Sequence, residues 1–156
     1  MPCPLCHGNA AFFIEDERRQ YKQCEKCDLI YVPAEFYLTR EEEKAQYDLH
    51  ENDPTDPGYR QFLSRLADPL LKKLSPNSIG LDFGCGPGPT LSVMFEEAGH
   101  QVVLHDPFYQ SNPSALEATY DFVTATEVLE HLQHPRRDLK AIWNCLKPGG
   151  WLGIMT

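Results

Sequence analysis

Short apolar runs alternate with segments of helical periodicity over the second half of the chain. The apolar runs predict strands over 79–83, 101–105, 121–125 and 151–155. Helical spacing predicts helices over 90–98 and 135–146, with a short helix or turn over 112–119 and a helical turn over 127–132. Strands that alternate with helices predict an α/β fold with a parallel sheet.

The first half of the chain reads differently. Three short runs predict strands over 12–14, 21–23 and 29–32. An acidic first turn after Thr39 predicts a helix that runs to about residue 49. Apolar residues at helical spacing predict a second helix over 59–74, kinked at Pro69. We therefore divide the chain into a module at 1–36, a helical linker or lid at 37–75 and a larger domain at 76–156.

Two C-x2-C pairs flank the first two predicted strands, and 17 residues separate the pairs: Cys3 and Cys6, then Cys24 and Cys27. Zinc binds four thiolates at tetrahedral corners, and a hairpin brings two such pairs together. The spacing predicts a zinc ribbon in which Zn²⁺ is structural, because four protein ligands leave no open coordination position. About 35 residues bury too little apolar surface to fold without such a metal.

Charge and hydropathy narrow the classes of partner. The formal net charge is -9, with 14 Lys and Arg against 23 Asp and Glu. Nucleic-acid surfaces need clustered cations, so this balance makes a nucleic-acid partner unlikely. No apolar run approaches the ~18 residues that span a bilayer, so no membrane partner is expected. Without a signal-peptide pattern, we expect a cytoplasmic protein with reduced thiols.

The glycine-rich stretch 81–89, LDFGCGPGP, follows a predicted strand and precedes a predicted helix. A turn of this kind lets a ligand lie against the backbone. Dinucleotide binding uses G-x-G-x-x-G, whereas the third glycine here, Gly88, comes one position early. Pro87 and Pro89 also lack N–H groups for a pyrophosphate, which disfavours NAD without excluding it.

This stretch resembles motif I of class I S-adenosylmethionine (SAM) methyltransferases, of the methyltransferase type 11/12-like group. Three further segments match in order: Asp106 at the end of the second strand, the run DFVTATEVLEH from Asp121, and KPGGWL from Lys147. Together they cover about residues 76–156. The resemblance implies a Rossmann-like SAM-binding domain joined to an N-terminal zinc-ribbon module.

The resemblance also implies roles for individual residues. Asp82 would orient the amino group of SAM, Asp106 would bind both ribose hydroxyls, and Phe108 would flank the adenine. Glu127 would lie near the transferred methyl group. The implied cofactor-binding set is Asp82, Gly84, Cys85, Gly86, Gly88, Asp106, Pro107, Phe108, Thr126 and Glu127.

The chain departs from the family pattern in two places. Only 14 residues lie between Asp106 and Asp121, too few for a helix and a strand, so we expect the third strand to be missing. The family's C-terminal strands are also lacking, and we expect a fragment of a longer protein that binds SAM weakly and is inactive as it stands. The open sheet edge after Trp151 would otherwise pair with a partner, for instance in a homo-oligomer.

Candidates for proton removal are His50, Glu127 and His131. The spacing E-x2-E-H predicts that Glu127, Glu130 and His131 share one helical face. A similar motif holds a divalent ion in some O-methyltransferases, which add a later histidine that this chain lacks. Metal binding at this motif and a purely structural turn both stay open.

Three functions remain. The first is a methyltransferase for a small-molecule acceptor. The second is an rRNA or other RNA methyltransferase that uses its zinc ribbon for recognition. The third is a non-catalytic SAM-binding or interaction protein on the same fold.

Overall fold

The chain forms two β-sheets with two helices between them along the sequence. A computed structural model describes residues 2–49 and 52–156. The first sheet is antiparallel, with strands β1 (Ala10–Glu15), β2 (Gln20–Cys24) and β3 (Ile30–Tyr31) in that order. All three predicted strands are present. The Asp16 carboxylate closes the β1–β2 turn by accepting the N–H groups of Arg18 and Arg19, each at 2.8 Å.

Helix α1 (Arg40–Tyr47) begins where its capping signal predicts. The Thr39 side chain accepts the N–H of Glu42, whose own carboxylate accepts the N–H of Thr39. Helix α2 (Pro57–Leu71) buries one apolar stripe, as its pattern predicts. It ends two residues after Pro69, so it is shorter at its end than the predicted 59–74 segment.

The second sheet is parallel and contains the strands β4 (Ile79–Phe83), β5 (Gln101–His105), β6 (Tyr120–Thr126) and β7 (Leu146–Met155). Their order across the sheet is β5-β4-β6-β7. Helices α3 (Thr90–Glu97) and α4 (Pro135–Asn144) follow β4 and β6. The predicted α/β fold with a parallel sheet is confirmed.

Between β5 and β6 the chain forms a 3₁₀ helix, Pro113–Glu117, and no strand. The expectation that a third strand is missing is confirmed. Strand β5 is therefore an edge of the sheet, and the 3₁₀ helix packs beside it instead.

Apolar side chains cover both faces of the parallel sheet. On one face, α2 and α3 pack over Phe122, which needs Gly80 beside it, since a Cβ there would lie 2.2 Å from the Phe122 ring. On the other face, α4 and the 3₁₀ helix pack over Leu81 and Val123. The sheet is thus held rigidly, and its carboxyl edge can support a site.

The last strand differs from the prediction. The strand was predicted over 151–155, but β7 already begins at Leu146 and continues past Gly149, whose φ is +80°. The register against β6 shifts at this point, so the irregularity lies within the strand pair. Trp151 and Ile154 are exposed along β7, and pairing of this edge with a second copy stays a prediction. Within the described residues, no helix is long and apolar enough to cross a membrane.

Candidate functional site

A cavity of about 480 Å³ opens where β4, β5 and β6 end. This volume is in the range of small-molecule sites. Seven residues implied by the sequence line it: Gly84, Gly86, Asp106, Pro107, Phe108, Glu127 and His131. Four others do not line it: Asp82, Cys85, Gly88 and Thr126.

The glycine turn owes its shape to two left-handed residues, Gly84 with φ +76° and Gly86 with φ +66°. A Cβ on Gly84 would lie 2.4 Å from Cγ2 of Val128, so this glycine allows close packing of the chain after β6. A Cβ on Gly86 would meet only the side-chain amide of Asn52, at 3.3 Å. Gly86 is therefore the glycine whose open side faces the cavity.

Gly88 has a different role from the one expected. A Cβ there would lie 1.8 Å from the backbone oxygen of Asn52, so the segment before α2 occupies the space beside it. Cys85 is buried, and burial raises its thiol pKa to about 12, with the charges of Asp82 and Asp106 adding to the effect. Its thiol is thus inert at neutral pH.

Asp106 is buried at the end of β5 and binds three backbone N–H groups. One carboxylate oxygen accepts the N–H of Phe108 at 2.8 Å and of Tyr109 at 3.1 Å, while the other accepts the N–H of Gly86 at 3.0 Å. A carboxylate offers about four acceptor positions. The arrangement leaves room for about one further hydrogen bond, fewer than the two that the resemblance implies.

Asp82 lies just outside the cavity because alternate residues of a strand point to opposite faces. Phe83 lines the cavity, whereas Asp82 faces the other side and accepts the hydroxyl of Thr124 at 2.8 Å. Burial raises the pKa of Asp82 to about 6, and the charge of Asp106 adds to this, against the Thr124 hydrogen bond. The group therefore titrates close to neutral pH.

Helix α1 is fastened to the segment after Asp106. The Tyr109 hydroxyl donates to Asp48 at 2.6 Å, and the Arg40 guanidinium donates to the Pro107 carbonyl at 2.9 Å. The same guanidinium lies 5.1 Å from the ring centre of Phe108. Helix α1 thereby forms a wall of the cavity, and sequence reasoning missed Tyr109 and Arg40, although Tyr109 stands only three residues after Asp106.

The predicted helical face of Glu127, Glu130 and His131 is wrong. Glu127 adopts a left-handed conformation with φ +54°, and the 3₁₀ helix begins only at Leu129. The N–H of Glu127 donates to the Met155 carbonyl at 2.8 Å. Pairing with β7, and not helix formation, therefore determines the backbone conformation of Glu127. Within residues 2–49 and 52–156, these three side chains do not form a group that could hold a metal ion.

The three candidate catalytic residues have different placements. His131 lies edge-on to the Tyr47 ring, with centroids 5.5 Å apart, and the Tyr47 hydroxyl donates to Glu43 at 2.9 Å. Glu127 lines the same cavity directly after the end of β6. His50 lies outside the described residues.

Helix α4 and the 3₁₀ helix build the apolar side of the cavity, which sequence reasoning did not identify. Leu116 and Ala141 line it together with Phe83, and the carboxylate of Asp138 lies at its rim.

The four paired cysteines meet in the first sheet. Their sulfurs lie within 4.8 Å of one another, with Sγ of Cys3 3.7 Å from that of Cys27 and Sγ of Cys6 3.4 Å from that of Cys24. Tetrahedral Zn²⁺ with bonds of about 2.3 Å requires sulfurs about 3.8 Å apart, so the donor set fits.

Both cysteine pairs have the same backbone conformation. His7 and Asp28 each follow the second cysteine of a pair in a left-handed conformation, and their N–H groups donate to Cys3 and Cys24 carbonyls at 2.9 and 3.0 Å. Two equivalent turns thus present four sulfurs to one point.

Comparisons with known proteins find similar sequences among methyltransferases. The ubiquinone biosynthesis O-methyltransferase of Nitrosospira multiformis is 32% identical over 132 residues, which cover 69% of this chain and 51% of that protein. The tRNA 5-carboxymethoxyuridine methyltransferase of Escherichia coli is 30% identical over 115 residues, covering 56% of this chain and 44% of that protein. The chain spans about half the length of the curated relatives it matches.

Among solved structures, a SAM-dependent methyltransferase from Geobacter sulfurreducens in complex with S-adenosylhomocysteine aligns with a TM-score of 0.47 and 14% identity. The alignment covers 76% of this chain and 55% of that one. A family model described as a methyltransferase domain matches residues 55–156, about two thirds of the chain. The chain belongs to this methyltransferase-domain family.

Proposed function

We propose that this chain is the cofactor-binding part of a SAM-dependent methyltransferase that acts on a small-molecule acceptor. The observation that carries the proposal is the Gly86–Asp106 hydrogen bond at the mouth of the cavity. It joins the only glycine of the turn that leaves space for a ligand to a buried carboxylate suited to a ribose hydroxyl.

The residues present fit the adenosine half of SAM. Asp106 would accept a ribose hydroxyl, and the apolar wall formed by Phe83, Leu116 and Ala141 would hold the adenine ring. Gly86 would let the chain of the methionine part lie against backbone. The two prolines of the turn supply no N–H groups, which suits a cofactor without a pyrophosphate.

When bound, SAM supplies a methyl carbon on a positively charged sulfur, and the carbon–sulfur bond breaks with its electrons left on sulfur as the acceptor atom bonds the carbon. The acceptor's proton must then leave, and the imidazole of His131, which lines the same cavity, would take it. Tyr47 and Phe108 form an aromatic cover over this end of the cavity that would exclude water.

The four cysteines would hold a structural Zn²⁺. Cys3 and Cys24 are fully buried, and the small core of this sheet consists largely of the cysteines themselves with Tyr31. Metal binding would therefore supply most of the free energy that folds this module.

An RNA acceptor is the second candidate, because one relative at 30% identity is named for a tRNA substrate. The net charge of -9 opposes it, since phosphate contacts need cations. Binding of RNA that weakens steeply between 50 and 200 mM salt would favour this candidate over the first.

Calorimetric titration with S-adenosylhomocysteine and, separately, with NAD tests the proposal. We expect saturable binding of S-adenosylhomocysteine and none of NAD at the same concentration. Binding of NAD alone, or of neither compound at millimolar concentration, would reject a SAM-dependent enzyme.

A further inference from the structure

A second cavity, also about 480 Å³, lies between the cysteine-bearing module and the 3₁₀ helix after β6. It meets the first cavity at three residues that line both: Glu43, His131 and Leu132. The candidate proton acceptor His131 therefore stands in the partition between the two spaces. A molecule bound in the second cavity would reach the first past this histidine.

Hydrogen bonds across the chain hold the walls of the second cavity together. Tyr37 donates its hydroxyl to the Gln133 carbonyl at 3.4 Å, and the Gln133 amide donates to the Leu38 carbonyl at 3.3 Å. Arg136 of α4 donates to the Leu5 carbonyl in the first cysteine turn at 3.2 Å. The cysteine-bearing module is thus fixed against the methyltransferase part, and it contributes a wall of the cavity.

Aromatic rings dominate that wall. Four line the cavity from the module and the segment after it: Tyr21, Tyr31, Phe36 and Tyr37. Aliphatic side chains, among them Ile30, Leu38 and Leu129, fill the spaces between them. Surfaces of this kind bind planar aromatic molecules by stacking and by burial of apolar area.

The charges on the wall disfavour a phosphorylated ligand. Two carboxylates line the cavity, Glu43 and Glu130, against the single guanidinium of Arg19. That guanidinium already lies 5.8 Å from the ring centre of Tyr21. A phosphate would meet more negative than positive charge, and the bidentate arginine geometry that phosphates favour would have to come from one side chain.

We propose that the second cavity binds the methyl acceptor, and that this acceptor is a small planar aromatic compound without a phosphate group. The cysteine-bearing module is then a wall of the acceptor site in addition to a folded unit. This inference rests on the proposed methyltransferase function only in the claim that the bound compound receives the methyl group. Binding in the cavity can be measured without methyl transfer.

The test uses 2-naphthol and 2-naphthyl phosphate, which differ only in the phosphate, and saturation-transfer NMR on the full chain. S-adenosylhomocysteine is present at saturation so that the first cavity is filled. We expect 2-naphthol to bind at millimolar concentration or below and the phosphate at least tenfold more weakly. Equal or tighter binding of the phosphate, or no binding of 2-naphthol, would overturn the proposal.

Matched variants locate the bound probe. Ile30→Glu places a charge on the cavity wall, whereas Ile14→Glu makes the same change at a strand position of similar exposure, 55% against 45%, outside both cavities. We expect Ile30→Glu to weaken 2-naphthol binding at least tenfold and Ile14→Glu to leave it unchanged. Equal effects of the two variants would contradict the placement. Circular dichroism and metal content check that each variant folds.

A second pair covers the case in which Ile30→Glu does not fold. Leu38→Glu alters another position on the cavity wall, and Leu49→Glu changes an exposed leucine of the same segment that lines neither cavity. S-adenosylhomocysteine titration of the same samples separates the two proposals. In the wild-type chain, absence of 2-naphthol binding with intact S-adenosylhomocysteine binding rejects the acceptor site alone, and the reverse result rejects the SAM-dependent function alone.

Discussion

The backbone N–H of Gly86 donates to a carboxylate oxygen of Asp106 over 3.0 Å and so joins the glycine turn after β4 to the end of β5. The two residues lie 20 positions apart in sequence, and each follows the carboxyl end of one of two adjacent parallel strands. The bond fixes the two groups that would contact the ribose and the methionine chain of SAM. Ligand binding and local stability should therefore depend on the same carboxylate.

Replacing Asp106 by Asn should weaken ligand binding and lower the stability of the folded chain. The two carboxylate oxygens of Asp106 accept three backbone N–H groups, whereas the amide of Asn has only one oxygen. At least one buried N–H donor therefore loses its acceptor. We expect a loss of about 1–3 kcal/mol in the free energy of unfolding and at least a tenfold weaker affinity for S-adenosylhomocysteine. Denaturant unfolding and calorimetry measure the two effects. Asp68→Asn, an exposed carboxylate on α2, should change neither.

Two glycines allow backbone strain to be separated from loss of the site. Gly86 and Gly99 both have positive φ, but a Cβ on Gly99 would meet nothing within 4 Å. Gly86→Ala and Gly99→Ala should each cost about 1 kcal/mol of unfolding free energy, the cost of a left-handed alanine. Only Gly86→Ala should weaken S-adenosylhomocysteine binding in a calorimetric titration. Equal affinities for the two variants would show that Gly86 does not face the ligand.

Asp82 should give the protein a stability that depends on pH. Burial raises its pKa in the folded state to about 6, against 3.8 as the ordinary value, so the folded chain binds this proton more tightly. The contribution is complete below pH 3.8 and is lost as the pH rises through about 6. Relative to wild type, Asp82→Asn should therefore gain roughly 2–3 kcal/mol between pH 4 and pH 7, measured by urea unfolding.

Asp121→Asn provides a control of opposite sign. Hydrogen bonds from the N–H of Ile79 and, to a smaller extent, from Lys147 lower the pKa of Asp121. The contribution of Asp121 to stability is therefore present above pH 3.8 and is lost as the pH falls. This variant should lose stability relative to wild type as the pH rises from about 2 to 5. If the difference in unfolding free energy between Asp82→Asn and the wild type does not change over pH 4–7, the carboxyl group of Asp82 is not desolvated.

The amount of bound zinc should depend on the four paired cysteines and not on Cys85. We expect one zinc per chain in the wild type and less than about a tenth of that in Cys24→Ser, measured by mass spectrometry of the metal. The cysteine-bearing sheet should then lose protection from proteolysis, because its core is built from the metal ligands. Cys85→Ala, a change at a buried cysteine of the glycine turn, should retain the full zinc content. Zinc retained in Cys24→Ser would contradict the tetrathiolate site.

The contact between Tyr109 and Asp48 should hold α1 over the cavity. Tyr109→Phe removes a hydroxyl that donates to Asp48 at 2.6 Å, and amide exchange in α1 should become faster while the rest of the chain is unchanged. Tyr21→Phe removes a similar exposed hydroxyl that donates to Asp16 at 2.9 Å, and should leave α1 unaffected. Hydrogen–deuterium exchange with mass spectrometry compares the two. Unchanged exchange in α1 after Tyr109→Phe would mean that other contacts position this helix.

Much of the fold could be predicted because local signals agree with it. The run 79–83 is mostly apolar and is followed by Gly84, and the strand has these bounds. A glycine after a helix marks the helix end because it adopts a left-handed φ, and Gly99 after α3 has this conformation. The resemblance to SAM methyltransferases implied that Asp106 belongs to the site, and Asp106 lines the cavity.

The parts that could not be predicted depend on contacts between distant segments. Glu127 is left-handed because its N–H pairs with the Met155 carbonyl, 28 positions away in the chain, and the E-x2-E-H spacing carries no sign of this. The Arg40–Pro107 bond spans 67 positions. The apolar wall of the cavity comes from α4 and a 3₁₀ helix, whose positions depend on the missing strand.

A crystal structure of the full chain grown with S-adenosylhomocysteine tests the central claim most directly. The account predicts that the ligand lies in the cavity at the ends of β4 and β5, with a ribose hydroxyl within hydrogen-bonding distance of the Asp106 carboxylate and the adenine against Leu116 and Ala141. A ligand bound elsewhere, or a filled cavity in which Asp106 contacts only backbone N–H groups, would contradict it.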